Sequence, residues 1–112
     1  MRPTIFILAI AALAFGGAPA LAHGTYTVHI KDFKYNPAPL RISVGDRVRF
    51  INDDQEAHTV TATDKSFDSA GLDTGDSWTY TFKKSGTYSY FCTLHPWMKA
   101  TVIVAAPKGK SS

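Results

Sequence analysis

Gly86-Thr87-Tyr88-Ser89-Tyr90-Phe91-Cys92-Thr93-Leu94-His95-Pro96-Trp97-Met98 reads as a strand that runs into a set of metal donors. Tyr88, Tyr90 and Cys92 alternate with Thr87, Ser89 and Phe91, the period of a pleated strand. From Cys92 the spacing changes: thiolate, imidazole and thioether follow one another at intervals of three, as Cys92, His95 and Met98. A His₂Cys set with a long axial Met is the constellation that holds copper as an electron carrier, because soft sulfur suits Cu(I) and imidazole suits both oxidation states. The second imidazole is assigned to His58, which stands in its own polar segment after another strand-like run. The bland readings are a buried small Cys, a gap-filling Met and a Cys–His nucleophile pair, which lacks an evident orienting third group. Zinc is the sharper rival, but a thioether suits it poorly, so Met98 discriminates.

Outward from this stretch, alternation continues. Tyr26, Val28 and Ile30 oppose Thr25, Thr27 and His29; Leu40, Ile42 and Val44 precede a turn at Gly45-Asp46; Val48 and Phe50 alternate with Arg47 and Arg49. Gly45-Asp46 reads as a tight turn joining two strands. Asn52 to Ala57 is a polar acidic loop, His58 to Ala62 resumes extended character, and Asp64 to Gly75 is a long connection with few periodic cues. Trp78, Tyr80 and Phe82 alternate before the Lys83–Gly86 turn, and Thr101 to Val104 forms the closing strand. Seven or eight short strands without an amphipathic helix predict an all-β, two-sheet antiparallel sandwich, with a small closed barrel as the alternative.

The start of the chain has another character. Met1-Arg2-Pro3, an apolar run from Ile5 to Phe15 and an Ala20-Leu21-Ala22 exit have the form of a cleavable secretory signal over residues 1–22. Removing those 22 residues from 112 leaves 90, residues 23–112, room for one domain and one core. The single cysteine excludes an internal disulfide in a chain bound for an oxidising compartment. Loss of Arg2 leaves 11 basic against 9 acidic residues, too mild an excess for a nucleic-acid binder, and there is no glycine-rich phosphate loop.

Asn52-Asp53-Asp54-Gln55-Glu56-Ala57-His58 together with Gly86 to Met98 resembles the type 1 copper proteins, the cupredoxins, and within them the amicyanin branch, whose short Cys-x-x-His-x-x-Met ligand loop is matched by Cys92, His95 and Met98. The resemblance runs from about Phe33 to Val104. It implies a Greek-key β-sandwich with one copper ion at one end, bound by His58, Cys92 and His95 and axially by Met98. It implies a corner-tyrosine role for Tyr88. The function implied is that of a monomeric mobile one-electron carrier in the periplasm, working between redox proteins such as a dehydrogenase and a c-type cytochrome, with copper storage or delivery as the alternative.

Three departures stand out. The longer N-terminal extension of amicyanins is missing, Thr59 replaces the usual Asn, and Leu94 replaces the usual Pro. Leu94 thereby restores an N–H two residues after the thiolate, which is expected to join one from Thr59 on the sulfur if it points there, and otherwise to leave Leu94 as apolar rim. Trp97 is read equally as rim or core, Asp53, Asp54 and Glu56 as a solvated acidic loop, and His29 as a surface histidine. His23, the first residue after the leader, can chelate Cu(II) through amine and imidazole together.

Overall fold

The computed structural model describes residues 22–107. The expected leader lies outside them, except for its last residue, as does the Lys108–Ser112 tail. Eight strands form where alternation is strongest: β1 (Thr25–Lys31), β2 (Lys34–Asn36), β3 (Leu40–Ser43), β4 (Arg47–Asn52), β5 (Thr61–Ala62), β6 (Ser77–Thr81), β7 (Gly86–Cys92) and β8 (His95–Ala105). They make two four-stranded sheets, ordered β2-β1-β4-β6 and β3-β8-β7-β5. The sandwich is the architecture the alternation implied. Inward faces meet in one core of Val28, Ile30, Val48 and Phe50 against Ile42, Tyr90, Val102 and Val104. Phe67 and Leu72, from the long connection without periodic cues, are buried there as well.

Pairing within the sheets is mixed rather than wholly antiparallel: β1–β4 and β3–β8 run parallel. The cause lies in the turns. Gly45, at φ +95°, does not close a hairpin; it carries the chain from β3 in one sheet to β4 in the other. A Cβ at Gly45 would also collide with the His23 ring, at 2.3 Å from Cε1. Lys83–Ser85 makes a similar crossing from β6 to β7, pinned by the Tyr88 hydroxyl, which donates to the Lys84 carbonyl at 2.7 Å in the corner role expected of it. Because sequential strands so often change sheet, each sheet recruits neighbours from distant sequence, and some of these arrive parallel.

Among the described residues, only β1–β2 and β7–β8 are hairpins between consecutive strands. Both turn at the same end of the sandwich, where β4 also delivers Asn52.

Candidate metal centre

The hairpin β7–β8 brings two of the expected donors face to face. Cys92 and His95 are register partners across a two-residue connection, Thr93-Leu94, and an irregularity between Phe91 and Cys92 breaks the ladder just before the thiol. The stretch read as a ligand loop is therefore mostly strand, with β8 starting at His95 instead of near Thr101. Cys92 is fully buried, Met98 is buried in β8, and His95 is half-buried.

The third donor comes from the arm after β4, which is built around Asn52. Its buried amide donates to the carbonyls of Glu56 at 2.8 Å and Leu72 at 2.9 Å, and its carbonyl oxygen accepts the Asp54 N–H at 2.8 Å. His58 is then locked by reciprocal backbone bonds with Leu72 and is fully buried. Its Nε2 donates to Asp54 Oδ2 at 2.9 Å. A carboxylate partner places the ring proton on Nε2 and leaves the Nδ1 lone pair facing Cys92.

Asp54 thus corrects the reading of a solvated acidic loop. It is buried, and besides His58 it accepts the N–H groups of Phe33 at 3.0 Å and Gln55 at 3.2 Å. Burial pushes its carboxyl up, but the hydrogen bonds from His58, Phe33 and Gln55 outweigh that and hold it below the ordinary carboxylate range. Asp53 does stay at the surface, 2.6 Å from the exposed His29.

Around the sulfur, His58 Nδ1 lies at 3.7 Å and His95 Nδ1 at 3.6 Å, and the three donor atoms all fall within 4.8 Å of one another. With metal–sulfur and metal–nitrogen bonds of about 2.3 and 2.0 Å, as in zinc sites, a trigonal centre sets sulfur and nitrogen about 3.7 Å apart. The spacing fits a single transition-metal ion. Thr59 N–H donates to Cys92 Sγ at 3.3 Å as expected, whereas the Leu94 N–H is not among the donors to the sulfur in this structure.

Two residues join the arms in ways the sequence reading missed. The Thr59 hydroxyl accepts the Thr93 N–H at 2.9 Å, so a residue noted only as a replacement for Asn ties the His58 arm to the hairpin. Phe33 sits with Asp32 in the β1–β2 turn at φ 60° and 54°, a left-handed pair without glycine. That turn lays the Phe33 edge on both imidazoles, at centroid distances of 5.2 Å from His58 and 4.8 Å from His95. No sequence signal marks it: a lone aromatic between charged residues has no period.

Below the site the Tyr35 hydroxyl donates to the Thr59 carbonyl at 2.6 Å, and burial pushes its phenol well above the usual range. At the surface, Phe33, Leu94 and Trp97 are 38, 54 and 68 % exposed, and Pro96 is exposed as well. Trp97 is therefore rim and not core, packed edge-on to the His95 ring with the centroids 5.3 Å apart.

Comparison with known proteins agrees with this geometry. The cupredoxin-like domain family matches residues 4–104. Amicyanin of Paracoccus denitrificans is 34 % identical over 92 residues, covering 78 % of this chain and 70 % of the relative. Among solved structures, a purple cupredoxin from Nitrosopumilus maritimus superposes with a TM-score of 0.69 at 31 % identity, covering 71 % of this chain and 99 % of that one. A copper-containing nitrite reductase from Thermus scotoductus reaches 0.71 at 31 % identity, covering 84 % of this chain but 25 % of the reductase.

Proposed function

Because this chain belongs to the cupredoxin-like domain family, we propose that it is a type 1 blue copper protein carrying single electrons between redox proteins in the periplasm, turning over no substrate. Residues 1–22 are its leader, residues 23–112 its single domain, and His58, Cys92, His95 and Met98 its copper ligands. The observation that carries the reading is the meeting of two imidazole Nδ1 atoms and one thiol sulfur, within 4.8 Å, from segments 34 residues apart. Copper, when bound, supplies a one-electron Cu(I)/Cu(II) couple at this donor set.

The chain's own residues do the rest. Asp54 and Leu72 hold His58 in one orientation, Thr59 donates to the sulfur, and the Thr59–Thr93 bond keeps the two arms from separating. Preorganised in this way, the donors need not move far when the charge of the site changes. Phe33, Leu94, Pro96 and Trp97 exclude water around the half-buried His95, whose ring edge is what a docked partner meets. An apolar rim around one ligand edge suits a short-lived encounter of below about 1,200 Å². A dehydrogenase as donor and a c-type cytochrome as acceptor fit the role, with the protein a monomer between encounters.

The match to the nitrite reductase covers a quarter of that enzyme's chain, so the enzyme's activity is not carried over. The test is voltammetry of the copper-loaded protein with a Cu(I) chelator present. A carrier cycles reversibly, keeps its metal and is intensely blue when oxidised, and Cys92→Ser loses the colour. Loss of Cu(I) to the chelator on each cycle would identify a storage or delivery protein, and a colourless Cu(II) form with Cys92 intact would overturn the type 1 assignment.

A further inference from the structure

At the opposite end of the sandwich, the His23 imidazole lies over Gly45 with its Nδ1 3.9 Å from Asp46 Oδ1. We propose that this is a second metal site, taking one Cu(II) ion through the α-amine of His23, its Nδ1 and the Asp46 carboxylate. The inference rests on the leader reading, since cleavage after Ala22 is what frees the amine.

Three features build the site. Nδ1, the nitrogen that faces Asp46, is also the one able to close a six-membered chelate with the residue's own α-amine. Asp46 is buried and held at both oxygens: its Oδ1 accepts the Gly24 N–H at 2.8 Å and its Oδ2 the Ser43 N–H at 2.9 Å. Each carboxylate oxygen can accept more than one bond, so Oδ1 retains a lone pair toward His23. The Gly45 backbone, at φ +95° and without a Cβ, leaves the space that the ring occupies. The imidazole itself is 58 % exposed, open to a metal from solution.

The donor set specifies the ion. Two nitrogens and a carboxylate oxygen, with water completing the plane, suit tetragonal Cu(II), and the lack of thiolate or thioether disfavours Cu(I). Lys83 lines the same hollow, so the Asp46 charge is needed to offset it. The six residues of β4, about 20 Å of strand, separate Asp46 from the arm that carries His58, so the two ions would not share ligands. The first centre cycles between oxidation states; the second captures the oxidised ion.

The test uses the protein exported with its own leader, its N-terminus established by intact mass and its first centre filled and oxidised. Added Cu(II) should bind as one further equivalent with an axial electron paramagnetic resonance signal and no thiolate charge-transfer band. His23→Ala should abolish this equivalent, Asp46→Asn should weaken it on the order of tenfold, and His29→Ala should leave it unchanged, with the unaltered blue band reporting an intact fold in each. A mass showing an N-terminus other than His23 removes the amine and overturns leader and site together. A chain that begins at His23 yet binds no second equivalent, or binds it equally in His23→Ala or Asp46→Asn, or loses it in His29→Ala, overturns the site alone.

Discussion

His58 and His95 turn the same ring nitrogen, Nδ1, toward the same Cys92 sulfur, yet their surroundings differ in almost every respect. His58 is fully buried, its backbone paired with Leu72 and its far nitrogen held by Asp54. His95 is half-buried at the mouth of a hairpin, flanked by Phe33 and Trp97 and continuous with an exposed apolar rim. The difference divides the labour of the site. The Asn52–Thr59 arm fixes a donor in place, and the Cys92–Met98 hairpin presents one to the outside. Substitutions on the arm should therefore disturb metal retention, and substitutions on the hairpin rim should disturb exchange with partners.

The sharpest way to break this division is Asp54→Ala. It strands the buried His58 Nε2 and the Phe33 N–H without a partner, and loss of such a carboxylate–histidine contact costs about 10–100-fold in metal affinity. Copper retention against a chelator measures it; retention equal to the parent protein would mean that the backbone bonds to Leu72 and the Asn52 and Thr59 contacts hold His58 without the carboxylate. On the other side, Trp97→Asp should slow electron transfer to a partner on the order of tenfold, the effect of losing one good aromatic anchor. Stopped-flow kinetics and the absorption spectrum read it together, since the blue band should stay unchanged. A shifted band would show that Trp97 supports the metal geometry as well.

The two core tyrosines give a smaller contrast. Tyr35 serves the arm, its hydroxyl bound to the Thr59 carbonyl, so Tyr35→Phe should lower stability by about 1 kcal/mol. Tyr90, in the hairpin strand, has a buried hydroxyl without a partner, so Tyr90→Phe should be neutral or mildly stabilising. Denaturant midpoints of the two variants compare them directly. The smallest effect is expected from Leu94→Pro. With the Leu94 N–H not among the donors to Cys92 Sγ, its removal should leave the reduction potential nearly constant; a fall in potential would show that the N–H reaches the sulfur in solution.

Much of this was legible in the residues. Cys92, His95 and Met98 lie within one short stretch whose donor types and spacing could be read directly, and strict alternation marked the strands because one face of each had to be buried. Tyr88 took the role that the family resemblance implied, and the Thr59 N–H reached the sulfur as expected. What could not be read were relations between segments distant in sequence. Gly45-Asp46 looks like a hairpin turn because a tight turn has the same local chemistry whether the next strand joins the same sheet or the facing one, and only the packing of two sheets decides that. Asp54 looked like one more solvated carboxylate, since nothing in Asn52–Ala57 announces that Asn52 will fold the loop back and bury it against His58. Phe33 had no period and no motif; its place over both imidazoles exists only once β1 and β2 end beside the arm. Short-range pattern determined which residues form strands and which carry the atoms suited to a metal, because those properties belong to side chains and their immediate neighbours. Tertiary structure decided what surrounds the donors, because burial and hydrogen-bond partners are set by chain segments that meet only in the folded sandwich.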